Sequence, residues 1–167
     1  MDNVVQPDSS PKCVVVATDF SVTAGYALEL SVELLRAGTY GELHVVHVAR
    51  PPIVIDPLLD GDLRLSPSVA VPVHRARKRL EDTCAEVMQR TRRRVVPHLR
   101  FGGVIAELAE VCRTVGADIL VVGAPDRPGW RLRWLGSLPA RLVRCAPCSV
   151  LAVRTKSPKL DARALAG

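Results

Sequence analysis

Five short, largely apolar runs, separated by stretches of helical periodicity, limit what this chain can fold into. They are Cys13–Ala17, Leu43–Val48, Val95–Leu99, Ile119–Val122 and Ser149–Val153. Continuous apolar runs, unlike alternating ones, mark strands covered on both faces, as in parallel sheets. Strand and helix signals that take turns along the chain give a doubly wound α/β sheet. At 167 residues the chain is one domain with a full core. Pro97 lies inside the third run and cannot donate to a ladder, so that strand is expected at a sheet edge.

The stretches between the runs carry start and stop signals. Thr18-Asp19-Phe20-Ser21 ends the first strand, and Ser21 caps a helix expected to turn Ala24, Ala27, Leu30 and Leu34 inward and to stop at Gly38. Val73, Ala76, Leu80, Cys84, Val87 and Met88 outline a long second helix, with Arg90–Arg94 in its last turn, where cations suit the helix dipole. Gly102-Gly103 opens a third, with Ile105, Leu108, Ala109, Cys112 and Val115 inward and an end at Gly116; Asp118 then starts the fourth strand. Leu138, Leu142 and Cys145 share a face of a short last helix. Residues 49–72 are proline-rich without clean periodicity, and a connection of that length is either mobile or functional. Residues 1–11 and 155–167 are expected to be flexible tails on a domain spanning 12–154.

The fourth run turns sharply into Gly123. A loop rich in Pro, Gly and Arg follows and closes on Gly136-Ser137 before the last helix. Glycines there let the backbone approach an anion, and the free N–H groups at the helix start point at it. The spacing is Gly123, two residues, position 126, nine residues, then Gly136-Ser137. It resembles the phosphate loop of ATP-binding universal stress proteins, Gly-x-x-Gly, nine residues, Gly-Ser/Thr. The segment Arg144-Cys145-Ala146-Pro147-Cys148-Ser149-Val150-Leu151 is similar to that family's end-of-domain signature, and the resemblance runs from Lys12 to Arg154. It implies an adenine nucleotide alpha-hydrolase-like fold: a single doubly wound, five-stranded parallel sheet of order 3-2-1-4-5, helices on both faces, third strand outermost. It implies ATP as the ligand, a stress-response or signalling role with at most slow hydrolysis, and an unidentified protein partner. It further implies an antiparallel homodimer through the last strand, that is Ser149, Val150, Leu151, Ala152, Val153 and Arg154. The loop at 49–72 corresponds to the family's most variable segment, which covers the nucleotide in some members.

In a sheet of this order, ligands bind where the direction reverses, beyond the carboxyl ends of strands one and four. The turns meeting there are Thr18–Ser21 and Gly123–Ser137, so Thr18, Asp19, Gly123, Asp126, Arg127, Gly136 and Ser137 are the candidate binding residues. The resemblance sets Asp19 beside the adenosine; read alone, it is equally a carboxylate satisfying N–H donors at a helix start. Gly123 and Gly136 would turn backbone N–H groups toward phosphate oxygens, with the Ser137 hydroxyl as a further donor. Arg127, Arg131 and Arg133 either neutralise phosphate charge or stay solvated. Asp126 departs from the pattern by replacing the middle glycine. A carboxylate about 4–5 Å from a phosphate costs on the order of 3–4 kcal/mol per unit charge at an effective dielectric near 20, or roughly several hundred-fold in affinity. The neighbouring arginines, or Mg²⁺ shared between Asp126 and the phosphates, would offset this. Aspartate also tolerates left-handed backbone angles, which keeps the turn feasible. Two readings follow: weak or conditional ATP binding at the Gly123–Ser137 loop, or a nucleotide-free dimeric interaction module in which Asp126 blocks ATP.

Other classes find little support. The chain lacks a G-x-S-x-G elbow, a Walker lysine loop and a dinucleotide G-x-G-x-x-G, so no catalytic residue is assigned. His44 and His47 stand three apart on one strand and face opposite sides, so they do not share a metal and are read as packed or hydrogen-bonded. The net charge of +6 comes mostly from arginines at 75–79, 90–94 and 127–144, read as solvated helix faces and ends. The first two clusters contain no aromatic ring for base stacking, so nucleic acid is not the expected partner. Five cysteines, an odd number, argue against a disulfide framework, and Cys13, Cys84 and Cys112 fall on core faces. Cys145 and Cys148 end a helix instead of opening one, so its dipole does not activate either thiol. Without an apolar run near 18 residues or an N-terminal basic flank and apolar core, no membrane association and a cytoplasmic location are expected.

Overall fold

The computed structural model describes residues 12–49, 67–124 and 138–154. Strands and helices alternate as β1 (Cys13–Ala17), α1 (Val22–Arg36), β2 (Glu42–Ala49), α2 (Pro67–Thr91), β3 (Arg94–Phe101), α3 (Val104–Val115), β4 (Ile119–Ala124), α4 (Leu138–Cys145) and β5 (Ser149–Arg154). The strands pair in parallel throughout, in the order β3-β2-β1-β4-β5, so Pro97 does lie on an edge strand.

β1 divides the core. Val14, Val15 and Val16 are all fully buried, which only a central strand covered on both faces allows. Val14 and Val16 pack with Ala27, Val32 and Leu35 of α1 and with Leu80, Cys84 and Val87 of α2. Val15 packs on the other side with Leu108, Val111 and Cys112 of α3 and with Leu142 of α4. Each fully buried Leu or Val side chain contributes about 1.5–3 kcal/mol relative to exposure. Burial pushes the thiols of Cys13, Cys84 and Cys112 up to about 12, so all three are small neutral core residues.

Capping follows the sequence. The Ser21 hydroxyl accepts from the Ala24 N–H at 3.3 Å and starts α1. Gly116, at φ 64, supplies the left-handed turn that closes α3.

Several boundaries and faces differ from expectation. In α1 the buried stripe is Ala24, Ala27, Ser31, Val32 and Leu35, while Leu30 and Leu34 flank it half-buried. The stripe admits Ser31 because its hydroxyl bonds back to the Ala27 carbonyl at 2.9 Å and leaves no polar atom unsatisfied. The second helix begins at Pro67, not Val73, so Pro72 is inside it and the connection expected over 49–72 ends before 67; residues 50–66 lie outside the described part. Among the described side chains of α2, the fully buried ones are Leu80, Cys84 and Val87; Val73 and Ala76 are half-buried and Met88 is exposed. Arg92 turns left-handed, at φ 56, so the helix stops before the arginine run does, and Arg94 belongs to β3. In α3, Val111 joins Leu108, Ala109 and Cys112 in the core, while Ile105 and Val115 sit at its margin. In α4 only Leu142 is buried, and Leu138 and Cys145 are exposed.

Candidate functional site

The sheet reverses between β1 and β4, and the β1–α1 turn is built there from its own polar groups. The Thr18 N–H donates to the Val46 carbonyl at 2.8 Å, which extends the β1–β2 ladder by one step. The Thr18 hydroxyl accepts from the Phe20 N–H at 3.0 Å, and Asp19 Oδ1 accepts from the Ser21 N–H at 2.9 Å. Asp19 therefore does serve the helix start. It is also exposed. Partial burial alone would raise its pKa, but the hydroxyl and N–H of Ser21, with a smaller contribution from His47, hold it below the ordinary value. The residue presents an ionised carboxylate at the mouth of the crevice.

Three further residues shape this corner. Phe20 adopts φ 61, a left-handed conformation that is uncommon for a bulky side chain and costs on the order of 1–3 kcal/mol. Its ring packs against His47, centroids 4.6 Å apart, and the Arg79 guanidinium of α2 lies 4.5 Å above it. His47 Nδ1 donates to the Thr18 carbonyl at 2.8 Å, which ties the end of β2 to the turn. His47 is thus the hydrogen-bonded histidine the sequence suggested. The sequence alone does not single out Phe20 or Arg79: Arg79 reads as one more solvated arginine, and nothing within its own helix signals a ring 59 positions earlier.

Gly123 closes the second side. A β-carbon there would sit 2.7 Å from the Thr23 carbonyl carbon, 2.8 Å from its oxygen and 2.9 Å from the Ala24 nitrogen. The hydrogen of Gly123 leaves room for the first turn of α1, not for a ligand. That contact brings the start of the glycine loop against the helix that Asp19 opens. Thr18, Asp19 and Gly123 accordingly gather at one corner of the sheet. Asp126, Arg127, Arg131, Arg133, Gly136 and Ser137 lie outside the described residues.

The thiols Cys145 and Cys148 are both free. Cys145 is the last residue of α4 and its Sγ donates to the Arg141 carbonyl at 3.1 Å; burial raises the pKa of Cys148. Position at a helix end and the raised Cys148 thiol both run against an activated pair.

The profile of the universal stress protein family matches residues 11–154. The chain belongs to the universal stress protein family. Among its relatives, Universal stress protein G of Shigella flexneri is 29% identical over 142 residues, covering 77% of this chain and 92% of that protein. A universal stress protein solved in complex with cAMP superposes with a TM-score of 0.62 at 22% identity, over 88% of this chain and 99% of that one. An Arabidopsis thaliana family protein with AMP bound superposes with a TM-score of 0.58 at 19% identity, over 91% of this chain and 99% of that one. The shared architecture is the adenine nucleotide alpha-hydrolase-like α/β fold. Among the described residues no helix is long and apolar enough to cross a membrane.

Proposed function

We propose that this universal stress protein is a cytoplasmic stress-response signalling module that binds an adenine nucleotide, ATP, weakly or conditionally in the crevice between β1 and β4. The observation that supports this reading is the close approach of Gly123 to Thr23 and Ala24, which packs β4 at Gly123 against the first turn of the helix that follows Asp19. The described half of the crevice suits the hydroxyl-bearing part of a nucleotide, because Asp19 is an exposed acceptor. Phosphate contacts then fall to Arg127, Gly136 and Ser137, with Mg²⁺ between Asp126 and the phosphates as the offset to a carboxylate in the loop. AMP and cAMP in the two family structures described above support a nucleotide of this class. The residues assign no catalytic step.

Asp126 decides between this reading and an empty crevice. Calorimetry is expected to give weak or no ATP binding for the wild type and micromolar binding for Asp126→Gly, a gain of roughly several hundred-fold from removing one carboxylate. Asp19→Ala in that background should lower the affinity again. Equal affinities for wild type and Asp126→Gly would remove Asp126 from the account. No binding by either would favour a nucleotide-free interaction module.

We also propose a two-fold homodimer through β5, the strand Ser149–Arg154. Among the described residues β5 is the last strand of the sheet, beside β4, and an edge strand is the kind of element that pairs with a second chain. Light scattering at micromolar concentration is expected to give twice the 18.1 kDa chain mass; a monomer would overturn the assignment.

A further inference from the structure

A second group of reactive side chains lies at the opposite end of the sheet, where the strands begin. Cys13 opens β1 and pairs in register with Glu42, which opens β2. His44, two residues further, projects from the same face as Glu42 because side chains alternate along a strand. The Cys13 Sγ, a Glu42 carboxylate oxygen and a His44 ring nitrogen all lie within 4.8 Å of one another. Cys13 and His44 are buried, and Glu42 is half-buried. His44 Nε2 is 2.7 Å from Glu42 Oε1, and His44 Nδ1 is 2.7 Å from His98 Nε2 on β3. Arg94 donates to the second Glu42 oxygen at 2.9 Å. The nucleotide reading uses none of these groups.

We propose that Cys13, Glu42 and His44 form a binding site for one divalent ion of the zinc type. A thiolate and an imidazole beside a single carboxylate do not suit Mg²⁺ or Ca²⁺, which take oxygen ligands. They match the sulfur, nitrogen and oxygen donors of Zn²⁺. One thiolate and one carboxylate also neutralise a divalent charge, which a buried ion requires. Metal–donor bonds of about 2.0–2.3 Å set the donors of a tetrahedral ion roughly 3.3–3.8 Å apart, a spread these atoms reach by small side-chain rotations. Three protein ligands leave the fourth position to water. Glu42, whose side chain is 19% exposed, marks the side of entry.

The surroundings already have the form of an outer shell. Metal-bound histidines donate their other ring N–H to a fixed acceptor, and His98 Nε2 stands where His44 Nδ1 needs one. Without an ion, His44 Nε2–H donates to Glu42 and Nδ1 accepts from His98. With an ion, the Nε2 lone pair is the ligand, the imidazole proton moves to Nδ1 and is donated to His98 Nε2, whose own proton shifts to His98 Nδ1, and the Cys13 thiol proton leaves to water. Arg94 holds the second Glu42 oxygen in either state. Testing His44 against His47 along one strand misses this arrangement, because the ligands meet across two strands.

The test uses the full chain, stripped with a chelator and titrated with Co²⁺ as the spectroscopic probe. One equivalent should bind with a thiolate-to-cobalt charge-transfer band and the strong visible bands of a tetrahedral ion, and Zn²⁺ should displace it. Zn²⁺ should also raise the melting temperature, because it binds the folded state. Cys13→Ser should lose the charge-transfer band, whereas Cys145→Ser, altering an exposed thiol, should keep it. His98→Gln keeps all three ligands and should weaken binding by about 10–100-fold. No thiolate band in the wild type, or a band that survives Cys13→Ser or vanishes in Cys145→Ser, would overturn the site. The wild-type titration is decisive even if Cys13→Ser does not fold.

Discussion

Gly123→Ala is expected to destabilise the protein by about 1–3 kcal/mol, the range for forcing an extra methyl into a well-packed interior. The new β-carbon would stand 2.7–2.9 Å from three backbone atoms of Thr23 and Ala24. Neither side can yield cheaply. β4 is held by β1 on one side and β5 on the other, and α1 is fixed by Ala24, Ala27, Val32 and Leu35 in the core. The first turn of α1 must therefore lift from the sheet, and Asp19 moves with it. In a chain of this size each kcal/mol lowers the melting temperature by roughly 2–4 °C. Thermal unfolding of Gly123→Ala beside the wild type measures the shift, and superimposable curves would refute the steric account. The strain is purely one of space, so it should grow from alanine to valine.

Leu142→Ala should cost more, about 2–5 kcal/mol, as for other leucines truncated in a closed core. Leu142 is fully buried against the cluster containing Leu108, Leu120 and Val122 and is the one buried residue of α4. Removing it takes away the one fully buried side chain of a short helix, so α4 should open before the sheet unfolds. Amide exchange would then show α4 opening at a lower free energy than β1 or β4. Val143→Ala is the internal control: that neighbour is 65% exposed, and its loss should stay within about 0.5 kcal/mol. Equal effects for the two variants would mean that α4 is held some other way. Because α4 begins directly after Ser137, the same experiment asks whether nucleotide binding at the glycine loop depends on the burial of Leu142.

The fold was legible because its signals are local. Covered strands appear as unbroken apolar runs, Ser21 and Gly116 punctuate helices within a residue or two, and Pro97 excludes a central position by chemistry alone. What misled was finer. A three–four spacing through Leu30 and Leu34 fits α1 as well as one through Ser31 and Leu35, and only a serine that bonds back to its own helix separates them. Pro72 suggested a boundary, yet the helix starts five residues earlier, at Pro67, where a missing N–H matters least. The site divides in the same way. Thr18, Asp19 and Gly123 follow from motif spacing and strand ends. The pairings of Phe20 with Arg79, and of Cys13 with Glu42 and His44, depend on strand register and helix placement, which no local pattern encodes.

β1 has five residues, and both ends of the sheet are measured along it. At about 3.3 Å per residue it fixes the span between the cluster at Cys13 and the turn at Thr18. A deletion of one residue within it would exchange the valines between the two halves of the interior, since successive side chains face opposite ways. It would also shorten the molecule's internal yardstick by one step and swing Asp19 away from Gly123. A change of length within this strand therefore disturbs the core and both ends of the sheet at once, whereas a change in a connection need disturb neither.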